Sequence, residues 1–172
     1  MADNYIEFSE ILTISWEEKV WAQEFLSIPG KVEALTNEEF ESEKNEKLVK
    51  SWKAIQEEFY IEEPGHGFEF EANFDRSTVT DSEEGPGDSY TLWVYSDDCG
   101  NPSHAATFIQ KLFQQFPENR KGQVFTLTWS ESCSKPRVSE FGGGALAVTI
   151  EDYQSFDTHS WVTEQLSKMT KE

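Results

Sequence analysis

Hydrophobic positions along this chain switch between helical and strand spacing, which predicts a mixed α+β fold. The first segment, NYIEFSEILTI (residues 4–14), is rich in strand-forming residues. Ser15 and Glu18 then have the spacing of a capping box, so we expect a helix to begin there. The breaker SIPG (residues 27–30) is expected to end that helix.

A second helix is predicted for residues 36–60. Leu48, Trp52, Ile55 and Phe59 recur at steps of four, three and four, which places them on one helical face. The opposite face is acidic, and EEPGHG (residues 62–67) interrupts the pattern.

A hairpin is predicted next. FEFEANF (residues 68–74) alternates apolar and acidic residues, so Glu69 and Glu71 should share a solvent face. An acidic loop is expected at residues 81–89, and YTLWVYS (residues 90–96) should be the returning strand.

The remaining pattern predicts one helix, two strands and a last helix. Asn101 and Pro102 are a favoured start for the third predicted helix, and strands are expected at residues 123–130 and 145–150. The last helix should begin at Asp157 or Thr158 and pack through four apolar residues: Trp161, Val162, Leu166 and Met169. One core is expected to collect five tryptophans: Trp21, Trp52, Trp93, Trp129 and Trp161.

The predicted order is β-α-α-β-β-α-β-β-α. Without the second helix, the first six elements read β-α-β-β-α-β, the ferredoxin-like split βαβ pattern with an antiparallel sheet. We therefore expect a single α+β domain over residues 1–172, with an inserted acidic helix at residues 36–64 and an extra C-terminal strand and helix.

Charge is the strongest global feature of the chain. The 172 residues include 33 acids against 14 Lys and Arg, a net charge of −19. Residues 1–98 carry −18 of this and residues 99–172 carry −1. Such a field repels nucleic acid and anionic membranes and attracts basic partners. A merely solubilising role for the acidity, or a salt-adapted host, remains an alternative.

Nothing in the sequence predicts a membrane segment or a secretory signal. The two cysteines are compatible with the cytoplasm, although a disulfide between them stays open. The sequence leaves the oligomeric state open.

The segment SCSKPRVSEFGGGALAV (residues 132–148) raises the question of a phosphate-binding loop. Dinucleotide and P-loop sites place their glycines before a helix, whereas Gly142–Gly144 precede a predicted strand. We therefore expect a bend or bulge in a hairpin. A small anion site formed with Lys135 and Arg137 is the alternative.

Metal and cofactor sites are not expected. Cys99, His104, Cys133 and His159 lack the paired spacing of zinc ligands, and no cysteine–histidine catalytic pattern is present.

Residues 90–170 nevertheless contain a specific motif. Trp129 begins the pattern Trp-x-x-x-Cys-Ser-Lys-Pro-Arg-x-x-Glu-Phe-Gly-Gly-Gly-Ala, which ends at Ala145, and a tryptophan-containing helix closes the chain. This resembles a family of uncharacterised proteins of bacteria, their phages and plasmids. The resemblance implies a mobile-element origin and no particular activity.

The first functional hypothesis is a non-enzymatic acidic protein that inhibits a basic, nucleic-acid-binding host-defence protein by nucleic-acid mimicry, of the anti-CRISPR or anti-restriction type. The alternatives are a toxin-immunity protein, and a small-ligand-binding domain or enzyme that uses the loop Cys133–Gly144. The predicted partner-binding carboxylates are Glu38, Glu39, Glu41, Glu43, Glu62, Glu63, Glu69, Glu71, Asp81, Glu83, Glu84 and Asp88.

Overall fold

The fold is taken from a computed structural model that describes residues 3–62, 67–77, 84–135, 137–138 and 140–170. Its strands are β1 (Asn4–Ser15), β2 (Glu71–Arg76), β3 (Ser89–Ser96), β4 (Phe125–Cys133), β5 (Gly142–Val148) and β6 (Tyr153–Asp157). Its α-helices are α1 (Trp16–Glu33), α2 (Asn37–Phe40), α3 (Glu46–Phe59), α4 (Pro102–Gln115), α5 (Pro117–Arg120) and α6 (Thr158–Met169). The mixed α+β prediction is confirmed.

The six strands form one sheet in the order β2-β3-β1-β4-β5-β6. The pairs β1–β4, β4–β5 and β5–β6 are antiparallel, with Phe8 opposite Trp129 and Leu127 opposite Leu146. Just beyond β3, a parallel bridge joins Ile6 to Cys99. Strand β6 is absent from the sequence-based expectation because YQSFD is short and mostly polar.

The chain divides into two compact units. The first, here called the sheet unit, contains residues 1–13, 69–75 and 91–172; the helical unit contains residues 14–68 and 76–90. The sheet unit carries 16 acids against 7 Lys and Arg, and the helical unit carries 17 against 7. The charge asymmetry between the two halves of the sequence is therefore not an asymmetry between the units. Cooperative unfolding as a single domain stays a prediction.

Helix α4 provides the core of the sheet unit. The Asn101 side chain accepts bonds from the amides of Ser103 and His104 at 3.0 and 3.4 Å, as its predicted capping role requires. Phe108 and Leu112 are fully buried on the helix face that the spacing predicts, and Leu127 of β4 is 1% exposed. Hydrophobic burial of this face holds α4 on the sheet.

The helical unit is built around an aromatic cluster. Phe25 of α1 lies 6.1 Å from Phe59 of α3 and 5.6 Å from Phe68, measured between ring centroids. The capping box between Ser15 and Glu18 is present, but α1 continues through Pro29 to Glu33, so the predicted stop at SIPG is wrong. Burial of Val32 in the added turn helps offset the cost of an internal proline.

The predicted helix 36–60 is broken into three pieces. Thr36 caps α2, Ser42 accepts a bond from the amide of Lys44 at the start of a 3-10 turn, and α3 follows. Serine and threonine compete with the helix by starting new turns, which explains the breaks. Trp52, buried as predicted, is 3% exposed.

Two predicted core contacts are wrong. Trp93 is 37% exposed, and the last helix is exposed along Trp161, Val162, Leu166 and Met169. Their apolar character predicts burial. Trp93, however, points to the strand face opposite the buried one, and no described element covers the last helix.

Candidate functional site

One face of the sheet in the sheet unit is open to solvent. Phe8, Leu127 and Leu146 point to the buried face, so alternate positions, including the cross-strand pair Glu7 and Ser130, point to the other. We call this second side the open face. Its acids are Glu7, Glu71 and Asp75, and none of the strand positions described on it is Lys or Arg.

A hydrogen-bonded aromatic pair crosses the open face. Trp93 donates its indole N–H to the Ser9 hydroxyl at 2.8 Å, and its ring stacks on Tyr95 with centroids 4.2 Å apart. The Tyr95 hydroxyl donates to Glu71 at 2.5 Å and accepts from Asn73 at 3.2 Å. The bond to Glu71 raises the pKa of Tyr95 above its ordinary value. These bonds fix two stacked aromatic rings beside a carboxylate.

Trp93 and Tyr95 were not among the sequence-predicted site residues. The signal lies in YTLWVYS, where Tyr90, Leu92 and Val94 are fully buried. Period-two alternation then sends Trp93 and Tyr95 to the other face.

Glu69 lies just before β2 and is exposed, as expected. It accepts a bond from the Asn101 amide group at 3.0 Å, and its backbone N–H donates to His104 Nδ1 at 3.3 Å. Glu69 is thus tied to the start of α4.

The helical unit presents a second group of carboxylates. Glu38, Glu39, Glu41 and Glu43 are exposed on α2 and the 3-10 turn, and Glu62 is exposed beyond α3. The backbone hydrogen bond from Thr36 lowers the pKa of Glu39. Glu63, Asp81 and Glu83 lie outside the described residues.

Two predicted partner-binding carboxylates are already paired within the helical unit. Glu84 forms an ion pair with the buried ammonium of Lys19, which lies 4.1 Å from the centroid of the Tyr90 ring. Asp88 accepts from Arg76 at 2.8 Å and from the Gly85 amide at 2.9 Å, and these bonds lower its pKa. Glu84 and Asp88 therefore hold residues 84–88 in place, and their role in binding a partner stays a prediction.

The glycine run belongs to β5 itself, which corrects the expectation of a bend before the strand. Gly143 has φ of +148°, and a Cβ there would lie 2.3 Å from the Trp129 carbonyl oxygen. A Cβ on Gly144 would lie 2.2 Å from the Phe156 carbonyl oxygen and 2.3 Å from the Trp129 ring. The glycines thus allow close packing of β5 with its neighbours.

Among the described residues of the motif, the Cys133 thiol is not activated. A hydrogen bond with Glu140 raises the pKa of Cys133, opposed by a backbone bond from Lys135, so the thiol is protonated at neutral pH. Arg137 approaches Glu140 at 3.5 Å. Across the described ranges there is no group of three or more His, Cys, Asp or Glu that could hold a metal ion.

No helix of the described chain is long and apolar enough to cross a bilayer. The chain was also compared with protein-family models, curated proteins and solved structures, and none of the three comparisons finds a match. The open face, with its carboxylates and its paired aromatic rings, is the arrangement from which a function is best argued.

Proposed function

We propose that this protein is a non-enzymatic, acidic interaction protein that inhibits a basic, nucleic-acid-binding defence protein by occupying its nucleic-acid site. The open face carries this proposal, because its strand positions include three carboxylates and no cation among the described residues. Such a face attracts Lys- and Arg-rich surfaces and repels nucleic acid and anionic lipid.

The spacing of the carboxylates suits a phosphate-binding partner. Glu71 on β2 and Glu7 on β1 are separated by β3 in the strand order. Neighbouring strands lie about 4.7–4.9 Å apart, so a partner's charge above β3 lies about 5 Å to the side of each of these strands, within the screening length of about 8 Å at physiological salt. Their fields therefore add at the surface of a bound partner.

The aromatic pair would add specificity to this attraction. An arginine side chain stacks on an indole or phenol ring while donating hydrogen bonds to a neighbouring carboxylate. Trp93 and Tyr95 stack on each other beside Glu71, so they offer both contacts on one surface. We infer that arginines of the partner, which otherwise bind phosphates, dock there.

We further infer a ferredoxin-like core with the chain order β1-α1-β2-β3-α4-β4. The strand order β2-β3-β1-β4 supports that topology. Two cysteines that form no disulfide support a reducing, cytoplasmic location. A phage or plasmid origin is part of the proposal and rests on the motif that begins at Trp129.

Phage plating efficiency in strains that carry one CRISPR–Cas or restriction system each tests the proposal. We expect the protein to restore plating in at least one strain, and Glu7→Lys/Glu71→Lys to abolish the effect. Glu118→Lys/Glu151→Lys is the matched control, because it makes the same charge change at exposed positions in the sheet unit outside the open face. Equal loss of the plating effect in both double variants, or an unchanged plating effect in both, would contradict a role for the open face.

A toxin-immunity function relies on the same attraction between opposite charges. Co-expression with basic nuclease toxins distinguishes it, because an immunity protein rescues growth without any defence system present. Charge-reversing substitutions of Glu38 and Glu41, which are exposed on the helical unit, then test whether that second group of carboxylates contributes to toxin binding.

A further inference from the structure

Helix α6 presents its apolar residues to solvent. Trp161, Val162, Leu166 and Met169 are 50%, 48%, 58% and 75% exposed, and the helix has no buried residue. At 100° per residue the four side chains fall within one face of the helix. An apolar face of this size on a soluble protein marks an interaction surface.

The strand beside this helix is the unprotected edge of the sheet. β6 is the last strand in the sheet order, and its sequence, YQSFD, contains neither the lysine nor the proline that commonly guards an edge. Phe156 of β6 is opposite Ala145 and 47% exposed on the open face. The start of α6 lies on the other face, because a Cβ on Gly142, which shares the parity of Leu146, would lie 2.8 Å from the Thr158 hydroxyl oxygen.

We propose that a second copy of this chain pairs antiparallel with β6 about a two-fold axis perpendicular to the sheet. This operation keeps equivalent faces on the same side of the joined sheet. It therefore places the α6 helices of both copies on one side of the joined sheet and the two Phe156 rings on the other. A two-fold interface is self-complementary, so one patch meets its own copy.

The exposed apolar area supplies more than half of what such a dimer needs. Aromatic side chains have areas of about 150–250 Å², so five half-exposed large apolar residues expose on the order of 500 Å². A standard interface buries about 800 Å² per partner, and the paired β6 backbones supply part of the remainder.

Charge also favours a copy of this chain at α6. The helix has one acid and one base, Glu164 and Lys168, which pair at 2.5 Å. In a chain of net charge −19, most of the surface repels a second copy, whereas this helix presents no net charge. Two antiparallel α6 helices can also exchange these partners across the interface.

Sedimentation equilibrium at about 100 µM tests the proposal, because a dimer's population depends on concentration. We expect twice the chain mass of 19.8 kDa for the wild type and the single mass for Leu166→Glu. Val124→Glu, at a position 58% exposed in the same unit, should remain dimeric. Circular dichroism checks folding, and Met169→Glu replaces Leu166→Glu if that variant unfolds. A monomeric wild type, or dimers that persist in the folded α6 variants, overturns the proposal.

A cross-link tests the β6 pairing itself. Full overlap of two five-residue strands places Ser155 opposite its own copy. Opposed residues in antiparallel strands have Cα atoms about 4.5–5.5 Å apart, within disulfide range. We expect Cys99→Ser/Ser155→Cys to form a covalent dimer on mild oxidation and Cys99→Ser/Ser130→Cys, on central strand β4, to remain uncross-linked. Equal cross-linking of the two variants, or none in either, contradicts pairing through β6.

Discussion

Replacing Gly144 with alanine perturbs the contact that explains the glycine run. The added Cβ would lie 2.2 Å from the Phe156 carbonyl oxygen and 2.3 Å from the Trp129 ring. Ordinary van der Waals contact begins near 3.4 Å, so β6 or the Trp129 ring must move by about 1 Å. Overpacking of this kind costs about 1–3 kcal/mol per site, and the backbone contact places Gly144→Ala near the upper limit, about 3 kcal/mol.

Urea unfolding followed by circular dichroism measures this cost. At about 2–4 °C per kcal/mol, the same change lowers the melting temperature by about 6–12 °C. Gly30→Ala is the matched control, because nothing lies within 4 Å of a Cβ there and Gly30 is inside α1. Alanine in a helix interior stabilises by about 0.5–1 kcal/mol relative to glycine. Equal stability of wild type and Gly144→Ala would refute the packing explanation and reopen a ligand-binding role for the glycines.

Three further predictions concern charges and thiols. Asp88→Asn should lower the urea midpoint at about pH 7, and the difference should shrink as the pH falls below about 4, because the stability from a carboxylate with a lowered folded pKa is complete above its unfolded pKa and is lost as the pH falls through its folded pKa. Lys19→Ala should destabilise the protein in thermal melts by about 2 kcal/mol more than Lys19→Met, because methionine keeps the apolar stem against Tyr90. Equal losses of stability in the two variants would show that the charge of Lys19 dominates. Thiol labelling should modify exposed Cys99 slowly, since its bond to Asp98 raises its pKa, and buried Cys133 only on unfolding; rapid labelling of Cys133 in the folded protein would favour the alternative of an enzyme that uses the loop Cys133–Gly144.

The features that the sequence predicts well are set by neighbouring residues. The capping box at Ser15, the Asn101–Pro102 helix start and the buried stripe through Trp52 all depend on spacings within a few turns. The same local rules place Glu71 on an exposed strand face. These features determine the mixed α+β class and most element positions.

The features that the sequence does not predict depend on distant partners. Whether Trp93 is covered depends on what packs on its face of the sheet, and no described element shields it fully. Likewise, Asp88, just before β3, pairs with Arg76 at the end of β2, which charge counting does not reveal. Strand β6 is too short for an alternation of apolar and polar residues to be recognised in the sequence. Its five residues nevertheless form a strand because β5 supplies the hydrogen bonds.

Displacement of a fluorescent DNA duplex from purified defence nucleases tests most directly whether the open face replaces nucleic acid. We expect the wild-type protein to lower the anisotropy of duplex bound to its target, with an effect that weakens steeply between about 50 and about 500 mM NaCl. Glu7→Lys/Glu71→Lys should lose this effect and Glu118→Lys/Glu151→Lys should keep it. A nuclease that binds this protein and its duplex together, or displacement that survives reversal of the open face, would contradict the account.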